Sequence, residues 1–105
     1  MRRSSRFFVY ILMNKGGTTL YIGITNDLHR RVGEHQEGAG SEFARTYHVS
    51  RLVYFEAFRD VREALLREKQ IKGWKRCRKE VLIQSVNPKL CDLSDEAARC
   101  MAEPY

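Results

Sequence analysis

The sequence predicts a small α+β domain, a three-stranded and largely antiparallel sheet flanked by helices in the order β-β-α-β-α-α. Three observations lead there. Two runs rich in aromatic and β-branched residues, Phe7 to Met13 and Thr18 to Ile24, flank Asn14-Lys15-Gly16-Gly17, a turn-forming cluster that suits a hairpin. A third such run, Arg51 to Phe58, lies between stretches with helical apolar spacing. No repeat, low-complexity segment or linker divides the 105 residues, so one domain over residues 6–93 and a short C-terminal tail over 94–105 are expected.

Each element follows from its local pattern. In the first strand Phe8, Tyr10 and Leu12 share a face; in the second, Leu20, Ile22 and Ile24 share one face and Tyr21 and Gly23 the other. A register that pairs the tyrosine-bearing faces brings Tyr10 and Tyr21 together, and the sequence leaves that register open. The first helix is expected over Asp27 to Glu37, capped by Asn26 and stopped by Gly38 and Gly40. Leu28, Arg31, Val32 and His35 then recur at i, i+3, i+4 and i+7, one inward stripe with two ionisable members. Arg and His are seldom turned toward a core unless paired or needed there.

Residues 39–50 read as a loop in which Phe43 and Tyr47 alternate with Arg45 and His48. Such rings and cations suit either a nucleic-acid strand or packing within the loop itself. After the third strand, Asp60 and Glu63 form a capping-box variant, opening a second helix that runs to about Trp74. Its apolar positions are Val61, Ala64, Leu65 and Ile71, and Glu68 falls inside that stripe. A carboxylate there needs a cation, a hydrogen-bond donor or a metal. Lys75-Arg76-Cys77-Arg78-Lys79 opens a third helical segment with Val81, Leu82, Ile83 and Val86 as its apolar content, closed by Asn87-Pro88.

Nineteen Lys and Arg against thirteen acids give a formal charge of +6, which favours a polyanionic partner. Cys77, Cys91 and Cys100 are odd in number and lack C-x-x-C spacing, so neither a disulfide framework nor a zinc site is indicated. The apolar run after the basic N-terminus, Phe7 to Met13, is too short for a signal sequence or a membrane span, and a cytoplasmic protein away from membranes is expected.

Phe8-Val9-Tyr10-Ile11, Tyr21-Ile22-Gly23, Arg31 ten residues after Tyr21, His35 four after that, and Glu68 within Glu63-Ala64-Leu65-Leu66-Arg67-Glu68 together resemble the GIY-YIG nuclease superfamily. Within it the chain is most similar to the small single-domain bacterial YhbQ-like, UPF0213-type group, which Ile71-Lys72-Gly73-Trp74 and Asn87-Pro88 also resemble. Two departures stand out. Phe8 replaces the glycine of the first motif, and Glu80 stands where the superfamily often has an asparagine, which leaves Asn87 as candidate site support.

The resemblance implies an endonuclease that hydrolyses phosphodiester bonds in nucleic acid, DNA rather than RNA, with one Mg²⁺ or Mn²⁺ ion held by Glu68. Arg31 would hold the non-bridging phosphate oxygens. Tyr10 or Tyr21 would activate water, helped by His35 because a free phenol is a weak base at neutral pH. Gly23 would let the substrate backbone approach, and Arg45, Lys72, Lys75, Arg76 and Arg78 would contact phosphates. The competing expectation is a nucleic-acid-binding accessory module with this fold and little turnover. A domain of this size carries no separate recognition module, so low sequence specificity is expected unless the protein dimerises or a protein partner supplies it.

Overall fold

The computed structural model describes residues 6–37 and 49–95. Strands β1 (Phe7–Met13), β2 (Leu20–Thr25) and β3 (Arg51–Phe58) form one antiparallel sheet in the order β2-β1-β3, with helices α1 (Leu28–Gln36), α2 (Val61–Lys72) and α3 (Arg76–Val86). The α+β arrangement expected from the sequence is present, with six elements among the described residues in the expected order. The central strand β1 is buried from Phe8 to Met13, as a strand with apolar residues on both faces requires. On one face Phe8, Tyr10 and Leu12 pack with Leu28 and Val32 of α1. On the other, Val9, Ile11 and Met13 pack with Ala64 and Ile71 of α2 and Ile83 of α3.

Several local expectations change. Asp27, not Asn26, caps α1: its carboxylate accepts the Arg30 N–H at 3.2 Å, and the Asp27 N–H donates to Thr25 Oγ1 at 3.1 Å. That turn leaves Asn26 exposed at the bend. Both residues are good caps, and the backbone turn after Thr25 decides between them. Leu65 is 48% exposed, so the buried stripe of α2 is Ala64 and Ile71. Val81 and Val86 also face solvent, leaving Ile83 as the buried residue of α3. Of the expected tail, only Ser94 and Asp95 lie among the described residues.

Asn87, expected as site support, acts as a backbone clamp. The β1–β3 register pairs Ile11 with Tyr54 and Leu12 with Leu52, so Val53 bulges. Asn87 Nδ2 donates to the Val53 carbonyl at 3.0 Å and to the Cys91 carbonyl at 2.9 Å, while its Oδ1 accepts the Cys91 N–H at 3.0 Å. With its amide so engaged, Asn87 closes the outer edge of β3, as does the Leu93 N–H on the Leu52 carbonyl at 2.7 Å. Arg76 is likewise occupied: it pairs with Glu80 at 2.8 Å and donates to the carbonyls of Thr18 at 2.7 Å and Gly17 at 2.5 Å. It ties the β1–β2 loop to α3 instead of presenting a free guanidinium. No helix among the described residues is long and apolar enough to cross a membrane.

Candidate active site

The site begins with the β1–β2 register. Tyr10 stands opposite Gly23 and Leu12 opposite Tyr21, so Tyr10 and Tyr21 are diagonal neighbours on one face. Their ring centroids are 6.2 Å apart. Gly23 is what lets Tyr10 lie there. A Cβ at this position would sit 2.5 Å from the Tyr10 hydroxyl and 2.6 Å from Cζ, so the tyrosine ring crosses the edge strand over the bare glycine backbone. Gly23 thus has a steric role toward Tyr10 beside the expected one of admitting substrate.

From α1, His35 completes a cluster of three rings. Its centroid is 6.1 Å from that of Tyr10 and 5.2 Å from that of Tyr21, and its Nε2 lies 3.3 Å from the Tyr10 hydroxyl. His35 Nδ1 is buried without a hydrogen-bond partner, one of two such side-chain atoms among the described residues, the other being Arg51 Nε. Burial, reinforced by Arg31 and opposed by Glu34, lowers the His35 pKa from its ordinary 6.5, so the ring is neutral at pH 7.

Tyr10, 2% exposed, is shifted the other way. Burial raises its pKa most, the neighbouring Tyr21 and the negative charge of Glu68 raise it further, and Arg31 counteracts them. Tyr10 is thus a protonated phenol at neutral pH. The same influences put Arg31 and Glu68 within electrostatic reach of its hydroxyl. Tyr21 is half-buried and so the more accessible of the two phenols.

Arg31 sits at the margin of the buried stripe formed by Leu28, Val32 and His35, with its side chain 40% exposed and a 3.2 Å contact to Glu34 of its own helix. Glu68 projects from the line of Ala64 and Ile71 on α2, only 16% exposed, and meets Lys72 at 3.1 Å. Lys72 is exposed and can swing away at small cost. Lys75 and Arg78 are exposed, and the Arg78 guanidinium lies 4.2 Å from the Trp74 ring centroid. Arg45 and the Phe43–His48 loop lie outside the described residues.

No group of three or more His, Cys, Asp or Glu among the described residues could enclose a metal. Glu68, a shielded carboxylate whose cation partner is displaceable, suits a hard ion such as Mg²⁺, which keeps most of its waters and takes one or two protein carboxylates. A second polar cluster, Tyr54, Glu56 and Arg67, was given no role by the sequence. Its signal was two polar residues at i and i+2 on one strand face opposite a helix.

A family model of the GIY-YIG catalytic domain matches residues 6–80. A UPF0213 protein of Clostridium perfringens is 44% identical over 78 residues, spanning 74% of this chain and 83% of its own. Another, from Bacillus pumilus, is 35% identical over 86 residues, spanning 82% and 86%. The solution NMR structure of the UPF0213 protein BH0048 from Bacillus halodurans matches with a TM-score of 0.54 and 34% identity, over 80% of this chain and 88% of that one. Its fold and its sequence agree: the chain belongs to the GIY-YIG catalytic domain family, in its UPF0213 group.

Proposed function

We propose that the protein is a metal-dependent endonuclease acting on nucleic acid, DNA rather than RNA. The observation that carries this reading is the cluster of two phenols and a neutral imidazole from β1, β2 and α1, whose buried member Tyr10 feels the charges of the Arg31 guanidinium and the shielded Glu68 carboxylate. Tyr10 and His35 are both shifted from their ordinary pKa values, and perturbed ionisable groups in contact are more characteristic of chemistry than of packing.

Arg31, partly exposed, would grip the non-bridging oxygens of the scissile phosphate and stabilise the charge that develops there. Tyr21, the accessible phenol, would face the attacking water, while Tyr10 holds its proton and anchors the cluster. Neutral His35 would take up the proton that the water sheds, delivered along the phenolic hydroxyls. A Mg²⁺ or Mn²⁺ ion held by Glu68 would supply Lewis-acid stabilisation of the leaving 3′-oxygen. Exposed Lys75 and Arg78, in a chain of net charge +6, would add phosphate contacts.

The test is cleavage of plasmid and single-stranded DNA with Mg²⁺, Mn²⁺ or a chelator. Wild type should cut only with metal, and Glu68→Ala and Arg31→Ala should each lose about 100-fold or more. Equal cutting by the variants, or no metal-dependent cutting by wild type, overturns the reading in favour of an accessory binding module.

A further inference from the structure

The opposite side of α2 carries a polar network that no part of the site uses. Arg67 Nε lies 3.0 Å and 3.1 Å from the two carboxylate oxygens of Glu56 on β3, and Nη2 lies 2.9 Å from Oε2. Nη1 donates to Gln70 Oε1 at 2.7 Å. The buried Tyr54 hydroxyl donates to the same Glu56 carboxylate, and the Arg67 guanidinium stacks 5.3 Å from the Trp74 ring centroid. Each nitrogen of the guanidinium is thus engaged, in a planar two-pronged geometry that lysine cannot reproduce.

What this network fixes follows from how α2 is seated. Its fully buried residues are Ala64 and Ile71. They are seven positions apart, nearly two turns, and so lie close to one line along the helix. Fully buried residues on one line leave rotation about it opposed mainly by the half-buried side chains beside them, Arg67, Glu68 and Trp74. Arg67 and Glu68 are consecutive and project about 100° apart around that axis. Arg67 reaches β3, while Glu68, with its side chain 16% exposed, pairs with Lys72 and carries a charge that acts on Tyr10. For a side-chain atom about 6 Å from the axis, a roll of about 10° moves it about 1 Å. A 1 Å misplacement is enough to cost about 100-fold in a positioned site.

We propose that Tyr54, Glu56 and Arg67 are positioning residues that set the roll of α2 and thereby aim the Glu68 carboxylate at its metal, an inference that rests on reading Glu68 as the metal ligand. The network touches neither substrate nor ion and acts only through Glu68. It therefore predicts that losing Arg67 changes metal affinity and not merely stability.

The experiment titrates Mn²⁺ into the full-length chain, following the free ion by electron paramagnetic resonance, alongside thermal melts and steady-state cleavage. Wild type should bind an ion that Glu68→Ala fails to bind. Arg67→Ala should weaken Mn²⁺ binding about 10- to 100-fold and lower kcat comparably. Its KM for DNA should stay within about twofold. Arg67→Lys should recover part of the loss, and in the Glu68→Ala background Arg67→Ala should lower Tm with no further effect on activity. Wild-type Mn²⁺ affinity in a cooperatively melting Arg67→Ala overturns the proposal. Should that variant fail to fold, Tyr54→Phe, which removes only a hydroxyl, decides in its place: severalfold weaker Mn²⁺ binding supports the network and unchanged binding overturns it. A wild type that binds Mn²⁺ through Glu68 yet cuts no DNA removes the nuclease reading alone. A wild type that cuts, with Arg67→Ala binding Mn²⁺ normally, removes the network alone.

Discussion

The two edges of the sheet use the same side-chain chemistry to opposite ends. At the β3 edge Tyr54, Glu56 and Arg67 satisfy one another with bonds of about 3 Å, and Asn87 and Leu93 close the backbone beyond them. Toward the β2 edge the rings of Tyr10, Tyr21 and His35 come together, with a long 3.3 Å contact between Tyr10 and His35 and a buried His35 Nδ1 that has no hydrogen-bond partner among the described residues. Among the described residues, the charges that act on Tyr10 pair within their own helices, Arg31 with Glu34 and Glu68 with the exposed Lys72. Residue type does not separate the two clusters here; the degree of mutual hydrogen bonding within each does. Buried polar groups are normally paired, so a cluster left with unmet capacity has its binding potential in reserve.

The comparison breaks most sharply at Gly23. Gly23→Ala should drive Tyr10 out of place, lowering cleavage about 100-fold and stability by about 1 to 3 kcal/mol. Circular dichroism melts beside cleavage rates would measure both, and in a Tyr10→Ala background, where the ring is gone, Gly23→Ala should cost little further stability. At the other edge the signature is reversed. Asn87→Ala strands the Val53 carbonyl and should cost about 1 to 3 kcal/mol, while the folded fraction cuts at the wild-type rate.

The His35 imidazole sharpens the contrast through pH. Its folded-state pKa lies below the ordinary 6.5, so its neutral form contributes stability in full above pH 6.5. That contribution is lost as pH falls from 6.5 through the lower folded-state value, because the unfolded chain takes up the proton first. His35→Gln should flatten the acid side of a Tm-against-pH curve; an unaltered curve would separate His35 from the effect. The smallest difference concerns the basic run. Lys75→Ala should reduce the slope of log affinity for DNA against log salt by about 0.7 to 0.9, one phosphate contact, whereas Arg76→Ala should leave the slope alone and lower Tm slightly.

Much of the fold was legible because its signals are local. The third strand has the expected bounds, Arg51–Phe58, and Asp60 caps the following helix as expected. The pairing of Tyr10 with Tyr21 followed from alternation once the hairpin register was known. What stayed hidden depends on partners distant in sequence. Nothing near Arg76 reveals that its donors meet the Gly17 and Thr18 carbonyls, so a guanidinium clamp reads like a phosphate-binding cation. Asn87 resembled site support because its partner is the carbonyl of a strand bulge. Leu65 fitted an apolar stripe as well as Ala64 did, and only the docking of α2 on the sheet chooses between them.

The crossing of Tyr10 over Gly23 also bears on the order in which the protein assembles. Both residues belong to one hairpin closed by a short loop, and such hairpins form within about 1 to 10 μs, ahead of contacts between distant segments. Glu68 reaches the same place only once α2 has docked against a sheet that includes β3. A nascent chain with its first hairpin closed would therefore hold both tyrosines but no carboxylate, and would be unable to cut. Competence would arrive with the final docking event, so the order of folding itself would keep an incomplete nuclease inert.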